Sequence, residues 1–76
     1  MQKEELLKQL GNRVRKLREE KLMTQSQLAA SIGKDQQSLQ RLEAGKINPS
    51  FYYLFQIAEG LSIDISELTN IETKTK

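Results

Sequence analysis

Residues 24–45, TQSQLAASIGKDQQSLQRLEAG, decide the fold. Thr24 stands three residues before Gln27, so its hydroxyl can accept from the Gln27 backbone N–H while the Gln27 side chain reaches back to the Thr24 backbone, a capping box. Met23 before the cap and Leu28 at the fourth helical position match a hydrophobic staple. The helix starting at Gln25 has Leu28, Ala29 and Ile32 on its apolar face. Gly33 ends it after about two turns, because glycine enters the left-handed region at little cost. Asp35 then caps a further helix in which Leu39 and Leu42 point one way, and Gly45 stops it. At about 100° per residue, Gln37, Gln40, Arg41 and Ala44 fall opposite those leucines, with Gln36 and Ser38 flanking them near the N-terminal end.

Toward the N-terminus, Leu7, Leu10, Val14 and Leu17 step by 3, 4 and 3, lining one face of a helix from about Lys3 to Lys21 whose other face is charged. Toward the C-terminus, Lys46-Ile47-Asn48-Pro49-Ser50 is a loop: Pro49 disfavours helix at Asn48, and Ser50 can cap the next helix. That fourth helix covers about Phe51 to Leu61, with Leu54, Ile57, Ala58 and Leu61 as its core stripe and Gly60 a local weakness. Asp64 and Glu67 repeat the capping-box spacing, predicting a short fifth helix from Ile65 to about Thr69. From Asn70 the chain turns polar, and residues 70–76 are expected to fray from a core of about 10–69. Nothing reads as a strand, an internal repeat or a linker. The expectation is one all-α domain over 1–76.

The 76 residues carry 12 Lys and Arg against 10 Asp and Glu, and no His or Cys. Without those two residue types the common zinc ligands, the thiol nucleophile and the usual general base are missing, so no metal, cofactor or small-molecule site is evident. Glu4-Glu5 and Glu19-Glu20 point about 100° apart on a helix and cannot share a substrate atom, which disfavours an enzyme. No leader pattern follows Met1, and the longest apolar run, Phe51 to Phe55, is five residues against the ~20 of a membrane span. A cytoplasmic chain with no membrane partner is expected. At this size one core rarely supplies more than ~3–5 kcal/mol, so the helices must pack efficiently or the chain must oligomerise. The net charge of +2 hides an uneven distribution: +3 over residues 1–23, +1 over 24–50 and −2 over 51–76.

Two short helices around a Gly-containing turn form a helix-turn-helix unit, with the second helix free to enter a groove. Gln25-x-x-Leu28-Ala29-x-x-x-Gly33, then Ser38-Leu39-x-Arg41-Leu42-Glu43-x-Gly45, then Asn48-Pro49-Ser50-x-x-x-Leu54-x-x-Ile57-Ala58 resembles the Cro/C1-type (XRE-like) family of phage repressors and restriction-modification controller proteins. The resemblance spans about Leu10 to Leu68. It implies a compact five-helix bundle of the lambda-repressor-like type, with the helix-turn-helix formed by helices two and three, that binds double-stranded DNA as a two-fold homodimer. The recognition helix would run from Asp35 or Gln36 to Ala44. The stretch Asp35-Gln36-Gln37-Ser38 also looks like the glutamine-rich reading heads of some lambdoid phage repressors.

The residue chemistry agrees. A Gln amide fits N6 and N7 of adenine and the Arg fork fits O6 and N7 of guanine, making Gln36, Gln37, Gln40 and Arg41 candidates for base contact. Gln25, in the first turn of helix two, lies where free N–H groups favour a phosphate. Ser38, Arg13, Lys46, Asn48 and Ser50 complete the candidate phosphate contacts, whose value is collective. Glu43, beside the Leu39 and Leu42 face, should be partly buried and needs a partner. In the family the positions of Arg18 and Glu43 often form an internal ion pair, a structural role. Of the aromatics clustered in 51–55, Phe51 and Phe55 are expected to pack, and a tyrosine can offer its hydroxyl to a phosphate. An exposed aromatic with Ile63, Ile65 or Ile71 would make the dimer patch, which the family usually builds from helix five and the preceding loop. The family often has Gly where this chain has Leu22 and Ser62. Because a left-handed leucine is strained, helix one is expected to continue past Lys21 or to exit differently.

These features imply a sequence-specific transcriptional regulator reading a pseudo-palindromic operator in the major groove. The alternative is an antitoxin-like or other protein-interaction module on the same fold, with DNA binding secondary.

Overall fold

The computed structural model describes residues 1–73, which form α1 (Lys3–Glu20), α2 (Gln25–Ser31), α3 (Gln36–Glu43), α4 (Phe51–Gly60) and α5 (Ile65–Leu68), with no strand among them. α2, α3 and α4 begin where short polar side chains take orphan backbone donors. Thr24 and Gln27 form the reciprocal capping box, Asp35 accepts from the Ser38 N–H at 2.7 Å, and Ser50 accepts from the Tyr53 N–H at 3.0 Å. Asp64 precedes α5 without a side-chain cap, contrary to its spacing with Glu67; the backbone carbonyl of Asp64 receives the Glu67 N–H instead.

Four helices end in the same way. The N–H two residues past each C-cap reaches back to a carbonyl five residues earlier: Met23 to Arg18, Lys34 to Ala29, Lys46 to Arg41, and Ile63 to Ala58. This closure needs a left-handed residue, supplied by Gly33 (φ 70°) and Gly45 (φ 74°) but also by Leu22 (φ 58°) and Ser62 (φ 57°). The expected extension or altered exit of α1 therefore does not occur. Leu22 adopts the conformation that its side chain disfavours, because the closure satisfies the carbonyls of Arg18 and Glu19. Leu22 is 90% exposed and contributes no packing. A left-handed L-residue costs roughly 1–2 kcal/mol, partly offset in glycine by extra chain entropy, so Leu22→Gly is expected to raise stability by about 0.5–1 kcal/mol. Urea unfolding would register this as a higher midpoint at unchanged slope, and a lowered midpoint would contradict the strain argument.

The core unites Leu10, Val14 and Leu17 of α1, Leu28 and Ala29 of α2, Leu39 and Leu42 of α3, Tyr53, Ile57 and Ala58 of α4, Leu61, and Leu68 of α5. α3 packs on both α1 and α2, while α5 packs on α4 and α1. Gly11, buried in the middle of α1, permits the α1–α3 approach: a Cβ there would lie 2.6 Å from the Leu42 carbonyl oxygen and closer still to that of Glu43.

The aromatic cluster is arranged differently from expectation. Tyr53, Ile57 and Leu61, spaced by four, take the inward stripe of α4, leaving Leu54 only partly buried. Phe51 and Phe55 lie two residues from Tyr53, about 160° to 200° around the helix, and are exposed with Tyr52 rather than packed. Residues 70–73 have no regular secondary structure, yet Ile71 packs partly against the core, so the expected fraying does not begin cleanly at Asn70. The rest of that expectation falls on 74–76, outside the described residues.

Candidate nucleic-acid interface

One buried carboxylate ties the helix-turn-helix to α1. Glu43, in the last turn of α3, accepts from Arg18 Nε at 2.7 Å, from a terminal nitrogen of the same guanidinium at 2.9 Å, and from the Gln25 amide at 3.0 Å. The remaining arm of Arg18 donates to the Met23 carbonyl at 2.7 Å. One cluster thereby ties α1, the turn after it, the first residue of α2 and the end of α3. The hydrogen bond from Arg18 to Glu43 is the main reason that the guanidinium pKa is raised above its already high ordinary value; desolvation opposes it, and the nearby charges of Glu43 and Glu19 add to it.

Leu39, Leu42 and Glu43 take the inward side of α3, which leaves Gln37, Gln40, Arg41 and Ala44 exposed; with Lys46 they line one shallow depression. Glutamine amides and a guanidinium along one solvent face supply both donors and acceptors for base edges, with a lysine at one end for a phosphate. Lys46, Asn48 and Ser50 are exposed in the loop beyond α3.

Other candidate residues have partners inside the protein. Gln36 accepts from the Ser26 hydroxyl at 3.0 Å, which joins the first turns of α3 and α2 and leaves the Gln36 amide donors for an external acceptor. The Ser38 hydroxyl pairs with that of Tyr53 at 3.0 Å, and since one proton suffices for that bond, one hydroxyl proton remains to be donated. Two candidate phosphate contacts are directed elsewhere. The Gln25 amide is held against Glu43, because an unpaired carboxylate edge in that pocket costs more than a solvated amide. Arg13, about 140° around α1 from Arg18, donates from Nε to the Glu67 carbonyl at 3.0 Å and so lies at the α1–α5 junction, away from the α3 cluster. Ile63, Ile65 and Ile71 are all partly buried against the chain's own core.

Two positioning residues carry little signal in the sequence. Ser26 has the pattern of a helix-two surface residue, and Lys34, whose ammonium sits 5.2 Å from the Tyr53 ring centroid, that of turn filler. Tyr53 has a usable signal: stepping back by four from Ile57 places it on the core stripe.

Among known proteins, the uncharacterized HTH-type transcriptional regulator y4dJ of Sinorhizobium fredii is 34% identical over 71 residues, covering 93% of this chain and 92% of that protein. The restriction-modification controller protein C.AhdI from Aeromonas hydrophila has a similar structure, with TM-score 0.79 and 34% identity over 84% of this chain and 96% of its own. The clp gene regulator ClgR from C. glutamicum superposes with TM-score 0.81 at 25% identity, covering 84% of this chain and 82% of that one. Residues 14–68 match the family described as helix-turn-helix (HTH_3), the span that holds the Arg18–Glu43 cluster and the exposed face of α3. The chain belongs to this helix-turn-helix family.

Proposed function

We propose that the chain is a DNA-binding transcriptional regulator that inserts α3 into the major groove. The observation that carries this reading is the exposed row of Gln37, Gln40 and Arg41 on a helix whose opposite side is locked into the core. Gln36, Gln37, Gln40 and Arg41 address base edges, while Ser38, Lys46, Asn48 and Ser50 hold the flanking phosphates. The protein works as a homodimer on a pseudo-palindrome, its two recognition helices about 34 Å apart, in the compartment that holds the DNA. No helix among the described residues is long and apolar enough to cross a membrane.

In vitro selection from random duplexes tests the reading, since symmetry, half-site spacing and base preference emerge together. On the selected site, Arg41→Ala is expected to cost about 1–3 kcal/mol and to relax one base position per half-site. Lys46→Ala should instead weaken all sequences alike and reduce the salt slope by about one. Uniform loss with Arg41→Ala, or no selected consensus, would refute direct readout by α3.

A further inference from the structure

We infer that the outer face of α4 is where a second copy of this chain docks, with Phe51, Tyr52 and Phe55 at the centre of a two-fold contact. This rests on the dimeric reading above and names its surface. A surface helix normally has a charged outer face, and a helix that is apolar all round is one that is covered all round. From Phe51 to Ala58, α4 carries no charged residue. Its inner side, Tyr53, Ile57 and Ala58, is covered by the chain's own core, but its outer side is not: Phe51 is 71% exposed, Tyr52 66% and Phe55 42%.

Taking about 200 Å² per aromatic side chain, these three expose roughly 350 Å², within the size range of the largest patch on a typical monomer, which is often functional. Doubled across a two-fold axis, this supplies roughly half the area of a standard interface as an aromatic centre, leaving the rest to a polar rim. Two further features favour a second copy. Side chains on a two-fold axis meet their own copies, and at the centre of a charge-free patch they do so without repulsion. The rings are also ordered in advance, Tyr52 stacking on Phe55 with centroids 6.4 Å apart and planes at 22°, so little side-chain freedom remains to be lost on docking. Uncharged rings offer a phosphate backbone no counter-charge, and of the three only Tyr52 has a hydroxyl to donate to one. Ile63, Ile65 and Ile71 present less free surface, being partly covered within the protomer.

Sedimentation velocity of the full chain over a concentration series, alone and with a duplex carrying two half-sites, tests the assignment. The wild type should dimerise. Phe55→Glu and Tyr52→Glu, each placing like charges across the axis, should raise the dimer dissociation constant at least tenfold with unchanged circular dichroism and single-half-site affinity. Ile63→Thr should leave that constant within about twofold. A wild type that stays monomeric in both conditions, α4 variants that dimerise like it, or loss of the dimer with Ile63→Thr alone would overturn the assignment. Half-site selection is scored separately: its failure counts against reading by α3, whereas this surface stands or falls on sedimentation.

Discussion

Gly11→Ala is expected to remove most of the domain's stability. The added methyl would meet backbone, with Leu42 O at 2.6 Å, the Glu43 carbonyl carbon at 2.8 Å and Glu43 O nearer still. Backbone atoms have no rotamer to escape into, so α1 and α3 must separate. Alanine returns about 0.5–1 kcal/mol of helix propensity, but overpacking of this kind costs roughly 1–3 kcal/mol and more where nothing can turn aside. Separating the helices also stretches the Arg18–Glu43 bonds formed at the same crossing. A net loss of about 2–4 kcal/mol is expected, against a total of about 5 kcal/mol for a domain this small. Urea unfolding followed by circular dichroism would show the midpoint collapsing. An unchanged midpoint would mean that α1 and α3 do not cross at Gly11.

The second large effect concerns the Arg18–Glu43 pair. Replacing either partner alone, by Arg18→Met or Glu43→Met, leaves the other without its full set of partners in a pocket where both residues are over nine-tenths buried. Breaking a buried pair from one side costs about 3–5 kcal/mol. The double replacement Arg18→Met with Glu43→Met should cost less than the two singles together, and the shortfall in a double-mutant cycle measures the coupling. Additive losses would mean that the pair is not acting as a unit. Because the raised Arg18 pKa lies above the unfolded value, its contribution is complete below the ordinary guanidinium range and is lost only as pH rises through the folded value, in strong alkali. Arg18 therefore adds no pH dependence to stability between neutral and mildly alkaline conditions.

Local chemistry is the legible part of this fold. Thr24, Asp35 and Ser50 cap helices using atoms three residues away, and Gly33 and Gly45 close two of those helices, so each can be read within its own segment. The features hidden in the sequence depend on partners brought from far along the chain. Gly11 is required by carbonyls 31 and 32 residues later, Gln25 is turned inward by a carboxylate 18 residues away, and Arg13 is held by Glu67. The aromatic run is ambiguous for another reason: four rings in five residues allow more than one inward face, and only the Tyr53, Ile57, Leu61 spacing selects it. Leu22 defeats a local reading because its strain is tolerated for the backbone bonds that it closes.

The two sides of α3 differ in how far they constrain change over evolutionary time. Leu39, Leu42 and Glu43 are committed to the interior, and Ser38 is tied to Tyr53. Among the described residues, the side chains of Gln37, Gln40 and Arg41 take part in no intramolecular hydrogen bond. On the proposed reading by α3, substitutions there alter what a groove meets while leaving the scaffold nearly as stable. A lineage built on this frame would then acquire a new operator in few mutational steps, whereas each step at the buried positions must be compensated elsewhere.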